Sequence, residues 1–129
     1  NEISNPLINI LNNSMAEGSV GAELDRRLNI ASDYILSKKN EDAFSNTNLD
    51  SILIKSEISM LFVVGLDAAH CVNSTIEGGR NRGYRIAAIS DAIISDPDTV
   101  KIHMLKEYAD KGVEILSTEK FFIKLDNGD

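Results

Sequence analysis

The chain has 129 residues, a formal net charge of -7 and a single cysteine. This length supports one domain over residues 1–129, with a buried core large enough to be stable without covalent cross-links. One cysteine excludes an internal disulfide. The negative charge argues against nucleic acid or an anionic membrane as a partner, and the sequence offers no secretion or membrane-spanning pattern, so we expect a cytoplasmic protein.

The first part of the chain predicts little regular structure before one short strand. The pair Asn5 and Pro6 can start a helix, although a segment at a terminus can equally be frayed. Residues 33–37 predict a short strand that ends at Lys38 and Lys39. Two adjacent lysines after a strand are usually a solvated edge.

A helix is predicted over residues 46–54. Either Asn46 or Thr47 can cap its first turn, because both side chains can accept a hydrogen bond from a free backbone N–H. The apolar positions at helical spacing, which predict the buried face, are Leu49, Ile52 and Leu53.

The strongest signal is a strand–helix–strand unit between residues 60 and 92. Residues 60–66 form a Val-rich apolar run that predicts a strand buried on both faces. Residues 71–83 follow with helical spacing, and residues 84–90 predict a second strand. This βαβ unit places Cys71 at the carboxyl end of a strand and the amino end of a helix. Ligands of open α/β sheets bind in that crevice.

Cys71 supports two interpretations. The exposed N–H groups at a helix start favour the thiolate, which is the nucleophilic form of a cysteine. A free cysteine is, however, usually one more small buried hydrophobic residue. Position alone leaves the two interpretations evenly balanced.

Metal and cofactor chemistry find little support in the pattern. His70 is next to Cys71 in sequence, but neighbouring residues rarely point at one ion, and His103 has no ligand spacing to either. The glycines of residues 78–83 lack the dinucleotide-binding spacing and lie within and after a helix instead of before it. They predict close packing of that helix on the sheet. We therefore expect neither a metal nor a cofactor.

The C-terminal part continues the alternation of strands and helices. A helix begins in the Asp- and Pro-containing loop of residues 95–98 and runs to Lys111, a strand covers residues 113–116, and a brief helix begins at Ser117. Residues 125–129 are polar enough to be a tail. This order implies a parallel sheet of about four strands with right-handed crossovers.

Two blocks of the chain follow the order of a known family pattern. The upstream block comprises Lys38, Asp42-Ala43-Phe44, Thr47 and Leu49. The central block comprises Gly65, Cys71-Val72, Thr75, Gly83-Tyr84 and Asp91-Ala92. Together, over roughly residues 18–122, they resemble the isochorismatase-like cysteine hydrolase family, which contains nicotinamidases and N-carbamoylsarcosine amidase.

The resemblance implies an α/β, three-layer Rossmann-like fold with a parallel sheet flanked by helices. Relatives have an earlier strand that ends in a catalytic aspartate, and none precedes Lys38, since Asp25 and Asp33 follow no apolar strand. We therefore expect residues 1–129 to be the C-terminal two-thirds of one such domain, with its N-terminal part missing. Either a homo-oligomer or a complementing N-terminal segment is the expected partner.

The same resemblance implies which residues form the site. Cys71 is the nucleophile, and Lys38 is the catalytic lysine, because Lys38 and not Lys39 has the family spacing to the phenylalanine. The oxyanion is held by backbone N–H groups. The residues implied in the remaining roles are Asp67 and Cys71 as oxyanion donors, Leu66 and Asp67 as the two sides of a cis peptide, and Phe44 and His70 as pocket lining.

The implied activity is cysteine-dependent hydrolysis of an amide or similar C–N bond in a small-molecule substrate, through a thioester. Isochorismatases proper have a glycine where this chain has Cys71, which favours thiol chemistry over vinyl-ether cleavage. Two alternatives remain open. One is a catalytically inactive homologue with a binding or scaffold role, and the other is a thiol redox role, which needs a second cysteine.

Overall fold

The structure is a computed structural model that describes residues 32–127. The helix start that is possible at Asn5 and Pro6 lies outside the described residues. Within this range, one 3-10 turn, four α-helices and three strands follow in the order Ala43–Ser45, α1 (Thr47–Lys55), β1 (Met60–Leu66), α2 (Cys71–Asn81), β2 (Arg85–Ile94), α3 (Asp98–Asp110), β3 (Glu114–Leu116) and α4 (Thr118–Asp126).

The three strands form one parallel sheet in the order β1-β2-β3. Met60 is opposite Arg85 at the amino ends of β1 and β2, and Leu66 is opposite Ile94 at their carboxyl ends. The register shifts between Val63 and Gly65, where Gly65 has φ 125°. Only glycine adopts such a backbone angle readily, so this residue lets β1 bend just before the turn that carries the cysteine.

The predicted strand over residues 33–37 is wrong. Two hydrogen bonds of this segment within residues 32–127 involve side chains: the Tyr34 N–H donates to Oγ of Ser32 at 3.0 Å, and the Ser37 carbonyl accepts from Nδ2 of Asn46 at 2.5 Å. A strand needs a neighbouring ladder, which local composition does not reveal. Among residues 32–127 the sheet therefore has three strands instead of about four.

The core has two parts, one on each face of the sheet. Strand alternation sends Leu61 and Val63 towards α1, α2 and α3, and it sends Phe62 towards Phe121 of α4. The result is the predicted layered α/β arrangement, with helices on both faces. The helix α4 runs to Asp126, beyond the start of the predicted polar tail.

Close packing of α2 on the sheet, predicted from its glycines, is confirmed at Gly79. A Cβ atom at this position would lie 2.8 Å from Cδ1 of Ile86 and 3.3 Å from Cε2 of Phe44. Gly78 has a different neighbour, because a Cβ atom there would meet the carboxylate of Asp42. The two glycines thus let α2 approach the sheet on one side and the segment before α1 on the other.

Tyr84 makes stability sensitive to alkaline pH. Its hydroxyl donates to Oδ1 of Asp50 at 2.6 Å, and burial, followed by this bond, raises the pKa of Tyr84 from 10.0 to about 12. The unfolded chain therefore loses its proton first, so stabilisation complete below pH 10.0 is lost as pH rises to about 12. We expect the free energy of unfolding, measured with urea, to fall less between pH 10.0 and about 12 for Tyr84→Phe than for wild type. Equal losses would contradict this coupling.

Candidate active site

The turn between β1 and α2 presents the cysteine. Cys71 is the first residue of α2 and is 8% exposed. The Asp67 carbonyl accepts from the N–H groups of His70 at 3.1 Å and Val72 at 3.0 Å, which closes the turn on itself. The peptide bond between Leu66 and Asp67 is cis. The sequence-predicted position of Cys71, after a buried strand and at a helix start, is the observed one.

Groups outside this turn also bind it. The Ala68 N–H donates to the Ile94 carbonyl at 3.2 Å, and Oγ of Ser95 donates to Oδ1 of Asp67 at 3.1 Å. The Tyr108 hydroxyl donates to the Ala68 carbonyl. The end of β2 and the helix α3 therefore both hold the turn, and these contacts were not predicted from the sequence.

Lys38 is brought to the same place. It is 8% exposed, and its Nζ donates to the carbonyls of Asn40 at 2.8 Å and Glu41 at 2.9 Å. Burial lowers the pKa of Lys38, and Cys71, Glu41 and Asp42 act in the opposite direction. Cys71 is the first of these opposing groups. Lys39, in contrast, is exposed.

Residues 38–45, here called the lysine segment, dock on α2. Oγ1 of Thr75 accepts from the Ala43 N–H at 2.9 Å and donates to the Glu41 carbonyl at 3.4 Å. The Glu41 carboxylate lies 3.5 Å from Nδ1 of His70 and accepts from Oγ of Ser74 at 3.2 Å. The family motif already contained Thr75, whereas nothing in the sequence signalled Glu41, whose partners are about thirty residues away.

His70 and Phe44, predicted to line the pocket, have different surroundings. The His70 side chain is 63% exposed and pairs with Glu41 at the rim of the turn. Phe44 is 3% exposed and stacks on Tyr84 with ring centroids 5.7 Å apart, while the guanidinium of Arg82 lies 4.9 Å over its ring. Phe44 therefore acts from the core, where it anchors the lysine segment.

Residues 32–127 contain neither a metal-binding cluster nor a membrane-spanning helix. No group of three or more His, Cys, Asp or Glu side chains in this part of the chain could hold a metal ion. Within the same residues, no helix is long and apolar enough to cross a membrane.

A family model described as the isochorismatase domain matches residues 9–120. A probable inactive nicotinamidase of Arabidopsis thaliana is 33% identical over 79 residues, which are 59% of this chain and 40% of the relative. The chain spans 31 to 40% of the lengths of the curated relatives that it matches.

Solved structures have the same fold. An isochorismatase-like hydrolase from Alkaliphilus metalliredigens superposes with a TM-score of 0.81 at 20% identity, over 86% of this chain and 62% of that one. N-carbamoylsarcosine amidase from Thermoplasma acidophilum superposes with a TM-score of 0.66 at 33% identity, over 78% of this chain and 57% of that one. With the family model covering most of its length, the chain belongs to the isochorismatase-like hydrolase family.

Proposed function

We propose that this chain supplies the nucleophile and the lysine of a hydrolase that cleaves an amide or similar C–N bond in a small molecule. The observation that carries the proposal is that Lys38 is buried, and that Cys71 is the first of the groups that raise the pKa of this lysine against the effect of burial. A buried ammonium next to a thiol favours the thiolate, because opposite charges attract more strongly away from water. The family membership agrees with hydrolysis.

The chemistry consists of two acyl-transfer steps. The Cys71 sulfur attacks the substrate carbonyl carbon, and the C=O π electrons move to oxygen, where the N–H groups of Asp67 and Cys71 donate to the resulting oxyanion. The oxyanion electrons re-form the C=O bond as the C–N bond breaks, the amine departs with the proton that the thiol gave up, and a thioester remains. Water attacks this thioester, releases the acid and returns the thiol.

The leaving amine needs a proton donor. The carboxylates that act on Lys38 are those of Glu41 and Asp42. Asp42 accepts from the Phe44 N–H at 2.8 Å, and Glu41 is bound to His70 and Ser74, so both already have structural partners. General acid–base help of this kind is worth about 10²- to 10⁴-fold. We therefore expect the 129-residue chain by itself to hydrolyse amides slowly.

The proposal is tested with nicotinamide and N-carbamoylsarcosine as substrates for the 129-residue chain. Ammonia release is followed at neutral pH, and the protein is quenched in acid for mass spectrometry of the peptide that contains Cys71. We expect ammonia together with an acyl or carbamoyl adduct on that peptide. Ammonia release without any adduct on Cys71, or with an adduct elsewhere, would contradict a thioester mechanism.

A second candidate is a catalytically inactive homologue that binds a small molecule. The Arabidopsis relative is described as a probable inactive nicotinamidase, which is the observation that favours this candidate. Calorimetric titration with nicotinamide separates the two functions. Saturable heat without ammonia release indicates a binding protein, whereas turnover excludes it.

Lys38 and Lys39 offer a matched pair of variants. Methionine keeps the aliphatic stem of lysine and removes the charge. One unit charge near a thiolate is worth on the order of 1 kcal/mol or more, so Lys38→Met should slow alkylation of Cys71 by iodoacetamide at pH 7 about tenfold. Lys39→Met should change the rate less than about twofold, because exposed charges are screened. Equal slowing in both variants would undo the assignment of Lys38.

A further inference from the structure

The turn that carries the nucleophile is fastened by a buried tyrosine on a distant helix. Tyr108 lies in α3 and is 0% exposed, and its hydroxyl donates to the Ala68 carbonyl, 40 residues earlier in the chain. Ala68 is itself fully buried, so water cannot easily replace this donor. The hydroxyl thus provides a hydrogen-bond donor to a buried carbonyl of the turn that would otherwise lack this donor.

A second buried hydroxyl acts on the preceding residue. Ser95 is 6% exposed and follows the end of β2, and its Oγ donates to Oδ1 of Asp67 at 3.1 Å. The same carboxylate oxygen accepts from the Ala69 N–H at 3.2 Å. The Asp67 side chain therefore accepts hydrogen bonds both from the residue after β2 and from a backbone N–H two residues later in its own turn.

These bonds fix the orientation of two successive peptide planes. The N–H of Ala68 belongs to the plane that begins at Asp67, and it is held by the Ile94 carbonyl at 3.2 Å. The carbonyl of Ala68 belongs to the next plane, and it is held by Tyr108. The peptide units that carry the N–H groups of Asp67 and Cys71 lie on either side of these two planes. Rotation of either plane would therefore break a buried bond and displace those N–H groups.

Tyr108 remains a donor across the neutral range. Burial raises the pKa of Tyr108, and the negative charges of Asp67 and then Glu107 raise it further. A deprotonated hydroxyl could not donate to a carbonyl, so the protonated form is the one that the site needs.

We propose that Tyr108, assisted by Ser95, is a positioning residue that holds the backbone N–H groups of the nucleophile turn where a tetrahedral oxygen is bound. The inference rests on the proposed function in one respect, since it uses the turn as the oxyanion site. It goes beyond that function because it states that α3 and the residue after β2 hold the oxyanion site in its geometry. Neither side chain touches substrate in this assignment.

A test needs a probe that depends on the oxyanion site but not on substrate identity. Acetaldehyde labelled with ¹³C at the carbonyl is such a probe. The Cys71 sulfur adds to the carbonyl carbon, so an S–C bond forms, the C=O π bond opens, and the oxygen takes the proton that the thiol gives up. Nothing leaves, and no other reactant is needed. The association constant is read from the carbonyl-carbon resonance, with Cys71→Ala as the blank.

Tyr108→Phe is the main variant, and iodoacetamide is the comparison reagent. Alkylation needs the thiolate but no oxyanion donor. We expect Tyr108→Phe to weaken acetaldehyde addition about tenfold, consistent with mispositioning of one strong donor, while the alkylation rate at pH 7 stays within about twofold. Ser95→Ala should weaken addition about threefold, and it keeps the proposal testable if Tyr108→Phe folds poorly.

Tyr84→Phe is the matched control, because it also removes a tyrosine hydroxyl bonded to another element, but on the side of α1. It should leave acetaldehyde addition unchanged. The inference is overturned if Tyr108→Phe and Ser95→Ala both keep the wild-type association constant, or if addition and alkylation fall together, as a purely structural role would produce. It is also overturned if wild type forms no adduct.

The two proposals fail separately in this design. Amide turnover by wild type, combined with unchanged aldehyde addition in both variants, removes the positioning role and leaves the hydrolase proposal standing. Conversely, the chain can fail to turn over any amide while both variants still show weakened aldehyde addition. That result supports the role of Tyr108 in orienting the turn and contradicts the hydrolase proposal.

Discussion

Replacement of Cys71 by serine should abolish amide hydrolysis while the fold remains intact. A serine hydroxyl ionises far less readily than a thiol, so the first step loses its nucleophile. Loss of a nucleophile in other hydrolases costs up to about 10⁶-fold in rate, and we expect at least about 10³-fold here. Ammonia release from nicotinamide or N-carbamoylsarcosine measures the effect.

The sequence makes this experiment clean, because Cys71 is the only cysteine of the chain. Oxygen for sulfur is a small change of volume, so thermal unfolding of Cys71→Ser should be close to that of wild type. Cys71→Ala provides a second variant that lacks any side-chain nucleophile. Residual ammonia release above about a tenth of the wild-type rate in both variants would mean that another group performs the attack.

Replacement of Phe44 by alanine should cause the largest loss of stability among the changes considered. Phe44 is almost fully buried, stacks on Tyr84, lies under Arg82, and has a ring edge close to Gly79. Truncation of a buried aromatic ring to alanine costs about 3 to 5 kcal/mol of unfolding free energy. Urea unfolding followed by circular dichroism measures this loss.

Phe122 is the matched control, since it is the same residue type but is 55% exposed on α4. Phe122→Ala should change the unfolding free energy by no more than about 0.5 kcal/mol. We also expect Phe44→Ala, and not Phe122→Ala, to slow alkylation of Cys71, because the ring anchors the segment that carries Lys38. Similar small losses in the two variants would show that Phe44 is not an anchor.

The elements with local signals were predictable from the sequence. The bounds of β1 follow from a Val-rich run buried on both faces, and the start of α2 at Cys71 follows from the turn and helical spacing. Asn46 caps α1 through its side chain, as one of the two predicted caps. Each of these features depends on residues within a few positions of one another, which is the range over which composition is informative.

The strand prediction that was wrong and the contacts that were not predicted all depend on residues that are distant in the sequence. Residues 33–37 have the composition of a strand, but a ladder also needs a neighbour, and Ser37 bonds to Asn46 instead. The strand β2 continues to Ile94 because β1 pairs with it up to Leu66. The bonds of Tyr108 and Glu41 cross more than thirty residues, and no spacing rule for a single sequence connects such positions.

The docking of the lysine segment on α2 has a mechanical consequence. Cys71 is covalently part of this helix, and Lys38 is coupled to it through Thr75 and the contact between Asp42 and Gly78. The separation of the two reactive groups is therefore set by contacts on one helix, and it does not depend on the register between strands of the sheet.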